Sequence, residues 1–352
     1  MQLADFDYHL PEERIAQQAL EDRAASRMLV VHRAENRWED RVFSDLPAYL
    51  QPGDCLVLND SRVFPARLFG HRAGIRALPV GLNNPKRSEH LTGEVEVFLL
   101  RSVSADGRDW QALVRPGRKL PVGERIHFAE DLEAEIVARG EFGERTVRFH
   151  GPTDLFAAFE RIGHVPLPPY IKRADSPADR DRYQTVFARE KGSVAAPTAG
   201  LHFTPAVLER CRQAGAAEAF VTLHVGLGTF QPLHEEVVEQ AKLHTEHYRI
   251  APDQAAAIAA ARRVVAVGTT SVRTLETAAR TGTLEGETDI FLYPGVPFLK
   301  TGAMLTNFHL PRTSLLLLVC AFGGKDLILN AYRHAVEAQY RFYSYGDCML
   351  IV

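Results

Sequence analysis

The chain changes its hydrophobic period along its length. Up to Leu50 short segments mix: PEERIAQQAL carries a helical spacing, RMLVVHR reads as a strand and FSDLPAYL as a second helix, closed by Pro52-Gly53. DCLVLNDSRVFPARLFG reads as a strand, a polar turn and another strand, and residues 70–93 as loop. Between Gly93 and Gly151 five short β-rich runs follow: GEVEVFLLRS, DWQALVRP, ERIHFA, LEAEIVARG and ERTVRFHG. Gly, Pro or Asp turns separate them at a spacing of roughly ten residues, which predicts a small antiparallel barrel or sandwich. After this block come a helix in TDLFAAFERIG with Thr153 as cap, and the proline-rich HVPLPPYIKR, read as a rigid linker or docking strip. Helices and strands then alternate: helix 205–214, strand 220–225, helix PDQAAAIAAARR, strand VVAVGTT, helix SVRTLETAAR and strand TDIFLY. The apolar run SLLLLVCAF, the helix LILNAYRHAVEAQYRF and the strand DCMLIV complete the chain. Such alternation implies an α/β fold with a parallel sheet or barrel, whose site lies in loops at strand C-termini. Because it flanks the β-rich block on both sides, that block reads as an insertion.

Residues 192–204, GSVAAPTAGLHFT, break both periods with Gly192, Pro197 and Gly200 among hydroxyls and one histidine. Thr204-Pro205 then reads as the cap and first-turn proline of a helix. A polar loop delivered to a helix N-terminus favours negative or polar ligands, although a plain turn-rich connection has the same composition. The next segment, VTLHVGLGTFQP, is a strand ending in a Gly/Thr loop, and the two loops read as opposite walls of one site. In VAVGTTSVRTLE a strand runs through Gly268 and three hydroxyls into a helix. That junction suits a carboxylate or ribose hydroxyls, and equally a helix capped by Ser271. LTNFHLPR sets Asn307 and His309 at alternate positions, so one side of an extended strand can carry both. The rings of YRFYSYGD can stack a base or pack a helix end.

Bulk properties narrow the class. With 352 residues, 46% hydrophobic and 24% charged, the chain fits a globular protein of two domains or one with an insertion. Acids near the start and no apolar stretch there argue against a signal peptide, and the run 314–322 is too short to span a bilayer. Cys55, Cys211, Cys320 and Cys348 are scattered, as in a reducing compartment, so a cytoplasmic protein with no membrane contact is expected. At a net charge of −3, any RNA contact needs a local basic patch. Arg62, Arg67, Arg72, Arg76, Lys86 and Arg87 supply one candidate, in a stretch without acids. His244 and His247 beside Glu246 resemble metal ligands but lack a well-spaced third, so no metal is expected.

Six motifs in fixed order make the reading specific. LNDSRVFPARL (58–68), YQTVFA with GSVAAPTAGLHFT (183–204), VTLHVGLGTFQP (221–232), VGTTSVRTLE (267–276), MLTNFHLPRTSLLLLVCAF (304–322) and YRFYSYGDCMLI (340–351) together resemble the S-adenosylmethionine:tRNA ribosyltransferase-isomerases of queuosine biosynthesis. The likeness covers essentially the full length and is loosest across the β-rich insertion. It implies a modified α/β barrel core, residues 1–55 and 152–352, with a small antiparallel β-barrel inserted at 56–151. It also implies a reaction: the ribosyl part of S-adenosylmethionine moves onto 7-aminomethyl-7-deazaguanine in the tRNA anticodon and rearranges to an epoxycyclopentane, releasing adenine and methionine. S-adenosylmethionine is then a consumed co-substrate, and no separate cofactor is expected because its sulfonium supplies both activation and leaving group. A monomer is expected.

The resemblance also assigns residues. His202 is the preferred general base beside the acidified 5′ carbon, with Asp60 as the alternative. Thr198, Gly226, Gly228, Thr229, Thr269, Thr270, Ser271 and Arg273 would hold S-adenosylmethionine. Arg62, Arg67, Asn307, His309, Arg341 and Tyr343 would face the modified base or the tRNA. Leu227, Gly302 and Lys191 depart from the family pattern. Three rivals fit less well, one of them a metal-dependent hydrolase using the histidines. An S-adenosylmethionine-dependent methyltransferase would carry a glycine-rich loop after its first strand and an acid one strand later. A non-catalytic RNA-binding module would be basic.

Overall fold

The structure is a computed structural model that describes all residues except 75–92, 130, 141–142, 227–232 and 234. Strands β1 (Arg27–His32), β2 (Arg37–Val42), β3 (Asp54–Asn59) and β4 (Ser61–Val63) come first. They are followed by β5 (Arg67–Arg72), β6 (Glu94–Ser102), β7 (Asp109–Arg115), β8 (Arg125–Ala129), β9 (Leu132–Arg139) and β10 (Glu144–His150). The remainder are β11 (Glu190–Ser193), β12 (Ala217–Leu223), β13 (Glu246–Arg249), β14 (Arg263–Val267), β15 (Glu285–Thr288), β16 (Ala303–Asn307) and β17 (Cys348–Ile351). The chain divides into two compact units, Met1–Arg62 with Leu167–Val352, and Val63–Pro166. Residues 56–62 therefore stay with the core, and the helix Leu155–Ile162 falls within the inserted unit.

The inserted unit is a closed antiparallel barrel in the order β10-β7-β6-β5-β8-β9. Its strands alternate as a half-buried sheet requires: Val95, Val97 and Leu99 of β6 and Leu132, Ala134 and Ile136 of β9 are buried. The helix Leu155–Ile162 contributes Phe159, buried among the rings of Phe64, Trp110 and Phe149. Its cap is Asp154, whose carboxylate accepts the Ala157 N–H at 3.0 Å, in place of the expected Thr153.

The core holds one nine-stranded sheet in the order β15-β13-β12-β3-β14-β16-β17-β1-β2. β12, β3, β14 and β16 run parallel, so the sheet has the expected α/β centre. It is mixed overall, because β17 returns antiparallel to β16 and β1–β2 form a hairpin. The central strands are apolar on both faces, as sheets covered on both sides require. Leu56 and Leu58 pack with Phe203, Val207 and Leu305, whereas Cys55 and Val57 pack with Val272, Leu316 and Tyr332. The apolar run forms the helix Ser314–Gly323, followed at a 115° bend by the helix Lys325–Glu337. Among the described residues no single helix is long and apolar enough to cross a membrane, and this bent pair is the one combination that passes by length and composition. Both of its helices contribute to the core cluster.

Several local expectations change. PEERIAQQAL forms only a 3-10 turn at Glu12–Arg14, and FSDLPAYL a 3-10 helix at Phe43–Tyr49. The strand expected in TDIFLY lies earlier, at β15, because the Thr288 hydroxyl takes the Ile290 N–H at 3.2 Å and turns the chain. The helix after β14 begins at Thr269 and not after Ser271.

Candidate active site

Parallel strands β12, β14 and β16 leave their carboxyl ends on one side of the sheet, where α/β folds bind ligands. Val225, Gly268–Thr270 and Asn307–His309 follow those strands, and all line one solvent-open cavity of about 620 Å³. Pro197–Ala199 from the loop after β11, Tyr170 from PLPPY, and Tyr343 and Ser344 complete its wall. Loops separated by more than a hundred positions in sequence thus meet at one place.

The helix Thr269–Thr281 opens into this cavity. Gly268 caps it with φ +86°, a backbone that L side chains rarely adopt, and its N–H is fixed by Leu305 O at 2.8 Å. Thr269 and Thr270 are buried in the cavity wall, and the Thr270 hydroxyl has no hydrogen-bond partner. A buried, unpaired hydroxyl at a helix N-terminus is poised to meet a polar ligand group. Ser271 is turned away: its hydroxyl donates to Val267 O at 2.8 Å, one helical turn back. Thr198 lines the same cavity.

Asn307 is clamped on three sides. Its Nδ2 donates to Tyr343 O at 2.9 Å and to Ser344 O at 3.4 Å. Its Oδ1 therefore faces His202 Nε2 at 3.0 Å, and that nitrogen must carry the proton. His202 Nδ1 is left to accept from the Ser26 hydroxyl at 2.9 Å. Burial, opposed by the Asn307 bond and aided by the charges of Arg341 and Arg23, pulls the His202 imidazole down to about 4. His202 does not line the main cavity; Asn307 stands between. His309 does line it. Its Nε2 meets the Thr306 hydroxyl at 2.9 Å, and burial lowers it to about 3, so the ring is neutral at physiological pH. Tyr343 holds φ +73°, a strained backbone for a bulky side chain, and its ring lies 3.8 Å from that of Tyr170 between centroids.

Arg273 and Gly226 meet through Glu246. That carboxylate accepts the Gly226 N–H at 2.9 Å and pairs with Arg273 Nη1, both side chains being buried. Arg273 lines a smaller cavity of about 350 Å³ with His244 and Leu315, and Leu315 also lines the main one. Gly228 and Thr229 lie outside the described residues, as do Leu227, Arg76, Lys86 and Arg87. Asp60 lies outside the cavity wall, its carboxylate accepting from Thr222 Oγ1 at 2.7 Å and pairing with Arg189 at 3.0 Å. Arg62 is half-buried with an unpartnered Nε, and Arg67, in the barrel unit, pairs with Glu96 at 2.8 Å. Arg341 donates through its main-chain N–H to Asp347 Oδ2 at 2.8 Å and through Nη2 to Gln18 O. Among the described residues no three His, Cys, Asp or Glu side chains gather as metal ligands; His247 lies 3.6 Å from Glu285 and Glu246 is committed to Arg273.

Sequence reasoning missed Tyr170, Ser26 and Thr306, and read Glu246 only as a companion of His244 and His247, whereas it holds Arg273 and Gly226. Ser26 and Tyr170 take their roles from partners far away in the chain, His202 and Tyr343, so no local spacing marks them, whereas Thr306 meets His309 three positions on. Gly302 acquires a reason: a Cβ there would sit 2.8 Å from Arg263 Cγ and 3.3 Å from Val264 O, so a larger residue needs Arg263 to move.

A polar cavity at the carboxyl ends of parallel strands, with a helix N-terminus in its wall, defines a ligand-binding α/β protein. The chain belongs to the queuosine biosynthesis protein family, whose model matches residues 3–351. It is 81% identical over its full length to an S-adenosylmethionine:tRNA ribosyltransferase-isomerase of Solibacter usitatus, covering 100% of both chains. A protein of the same name from Moorella thermoacetica is 50% identical, again with 100% of each covered. The crystal structure of S-adenosylmethionine tRNA ribosyltransferase from Thermotoga maritima matches with a TM-score of 0.54 at 37% identity, covering 99% of this chain and 100% of that one.

Proposed function

We propose that this chain transfers the ribosyl part of S-adenosylmethionine onto 7-aminomethyl-7-deazaguanine in a tRNA anticodon, isomerising it to the epoxycyclopentane of epoxyqueuosine. Adenine and methionine leave, and no metal or organic cofactor takes part. The observation that carries the reading at this site is the unpaired Thr270 hydroxyl, buried at a helix N-terminus in the wall of the cavity where the motif loops converge.

The chemistry sets the roles. The sulfonium acidifies the 5′ carbon, adenine must depart, and the aminomethyl nitrogen must lose a proton as it attacks. Thr269, Thr270 and the first-turn N–H groups receive the ribose hydroxyls or the methionine carboxylate, with Thr198 in the same cavity wall. Arg273, held by Glu246, attracts the carboxylate from the adjoining cavity, with Gly226 bound to the same Glu246. Burial keeps His309 neutral, so it can sit beside a sulfonium without like-charge repulsion. Asn307 presents its amide to the reacting sugar or base, and His202 acts through Asn307 by holding it in place. The Tyr170–Tyr343 pair offers a face for the deazaguanine ring.

The test is turnover with a kinetic split. Replacing Asn307 by Ala should lower kcat at least tenfold, and replacing His202 by Ala should lower kcat while leaving the KM for S-adenosylmethionine within about twofold. Unchanged kcat in both variants contradicts these roles.

A further inference from the structure

On the Ser26 side of His202 lies a second opening of about 270 Å³, walled by Arg23, Arg182 and Ser344 among others. Its cations have unusual partners. Arg23 Nη1 donates to Gln184 O and Nη2 to Asp181 O, both at 2.6 Å, and Arg182 Nη2 donates to Leu20 O. Arg341 Nη2 donates to Gln18 O, next to the lining residue Ala19, and its Nη1 is buried with no partner. Among the described residues none of these three guanidiniums has a carboxylate within ion-pairing distance. Several other half-buried or buried arginines of the core come paired: Arg273 with Glu246, Arg263 with Asp54, Arg173 with Asp179.

Backbone carbonyls satisfy guanidinium donors but bring no counter-charge, so Arg23 and Arg182 on the rim, with Arg341 behind it, are partly desolvated cations. The acids that bear on them, Asp181 on Arg23 and Asp347 on Arg341, act at a distance without ion-pair contact. Their fields overlap: burial and then Arg182 lower Arg23, against Tyr345 and Asp181, and Arg341 and Arg23 both bear on His202. With Arg23 Nη1 and Nη2 and Arg182 Nη2 held by carbonyls, the pair offers its positive charge and its remaining N–H groups to a phosphate, the anion that guanidinium chemistry matches best. Ser344 lines both this opening and the main cavity, so one nucleotide can lay its base in the cavity and its flanking phosphate here.

We propose that Arg23 and Arg182, backed by Arg341, form a subsite for a backbone phosphodiester of the tRNA beside the modified base. The proposal rests on the tRNA reading above and adds where the RNA backbone is gripped.

Binding of the modified tRNA to the wild-type protein and to Arg23→Gln/Arg182→Gln is measured from about 50 to 200 mM salt, together with steady-state kinetics. Losing one phosphate contact makes the slope of log affinity against log salt shallower by about 0.7–0.9. The expected result is that loss, a KM for tRNA raised about tenfold, and an unchanged KM for S-adenosylmethionine. The double lysine variant, Arg23→Lys/Arg182→Lys, should keep most of the slope. An unchanged slope in a folded glutamine variant overturns the subsite. So does a lysine variant that loses as much as the glutamine one, since only a structural role ignores charge. Inorganic phosphate at constant ionic strength should compete with tRNA in the wild type; if it binds without displacing tRNA, the occupant is a free anion and the RNA assignment fails. Absence of turnover in the wild type, by contrast, counts against the reaction and leaves the salt slopes readable.

Discussion

Thr270 occupies a position that folding alone does not reward. A buried hydroxyl without a partner costs about 1–3 kcal/mol, and Thr270 has none at the cavity wall. Thr270→Val keeps the shape and removes the unpaired group. Its melting temperature should hold or rise slightly, while the KM for S-adenosylmethionine rises about tenfold for one lost hydrogen bond. A variant with lower stability and unchanged KM would make Thr270 structural. His202 makes a separate prediction. Its folded pKa of about 4 lies below the ordinary 6.5, so between these values the unfolded chain binds more protons than the folded one. The associated stability, roughly 3 kcal/mol, is fully present above pH 6.5 and lost as pH falls toward 4. His202→Gln should flatten that acid limb in thermal melts; a limb as steep as the wild type's removes His202 from the account.

The helix Thr269–Thr281 ties the site together at the scale of elements. Its entry depends on Gly268, where an added Cβ meets only ordinary contacts, Thr270 Oγ1 at 3.5 Å and Ala199 Cβ at 3.6 Å. The cost of Gly268→Ala is therefore conformational, about 1–3 kcal/mol for forcing an L residue to φ +86°. Denaturant melts should show it, with weakened S-adenosylmethionine binding; a neutral substitution means the backbone relaxes without disturbing the cavity. One turn along, Glu246→Gln leaves the Arg273 charge buried without its partner and should cost about 3–5 kcal/mol by the same assay.

Elements also show where sequence reading stops. The β-rich runs of the insertion were legible because each alternates over a half-buried barrel wall, as in Val95, Val97 and Leu99. PEERIAQQAL was not, because its backbone is claimed elsewhere. Phe342 N–H donates to Arg14 O at 2.8 Å and Ala16 N–H to Phe342 O at 3.2 Å, so pairing with the far end of the chain overrides helix propensity. The junction at Gly268 was read as a site, yet its cap was misplaced, since Ser271 spends its hydroxyl on Val267 O. Tyr170 sat in a proline-rich strip that spacing alone describes as a linker.

For the molecule as a whole, an α/β core interrupted by a closed antiparallel barrel matches the period change along the chain. The motif loops acquire meaning only through that core, whose parallel strands bring Val225, Gly268 and Asn307 to one cavity. The central claim is the chemistry done there. Purified protein incubated with S-adenosylmethionine and tRNA carrying 7-aminomethyl-7-deazaguanine, with products and digested nucleosides analysed by mass, tests it most directly. Adenine and methionine should be released in equal amounts with an epoxyqueuosine nucleoside. S-adenosylhomocysteine with a methylated nucleoside, or tight tRNA binding with no S-adenosylmethionine consumed, would contradict it.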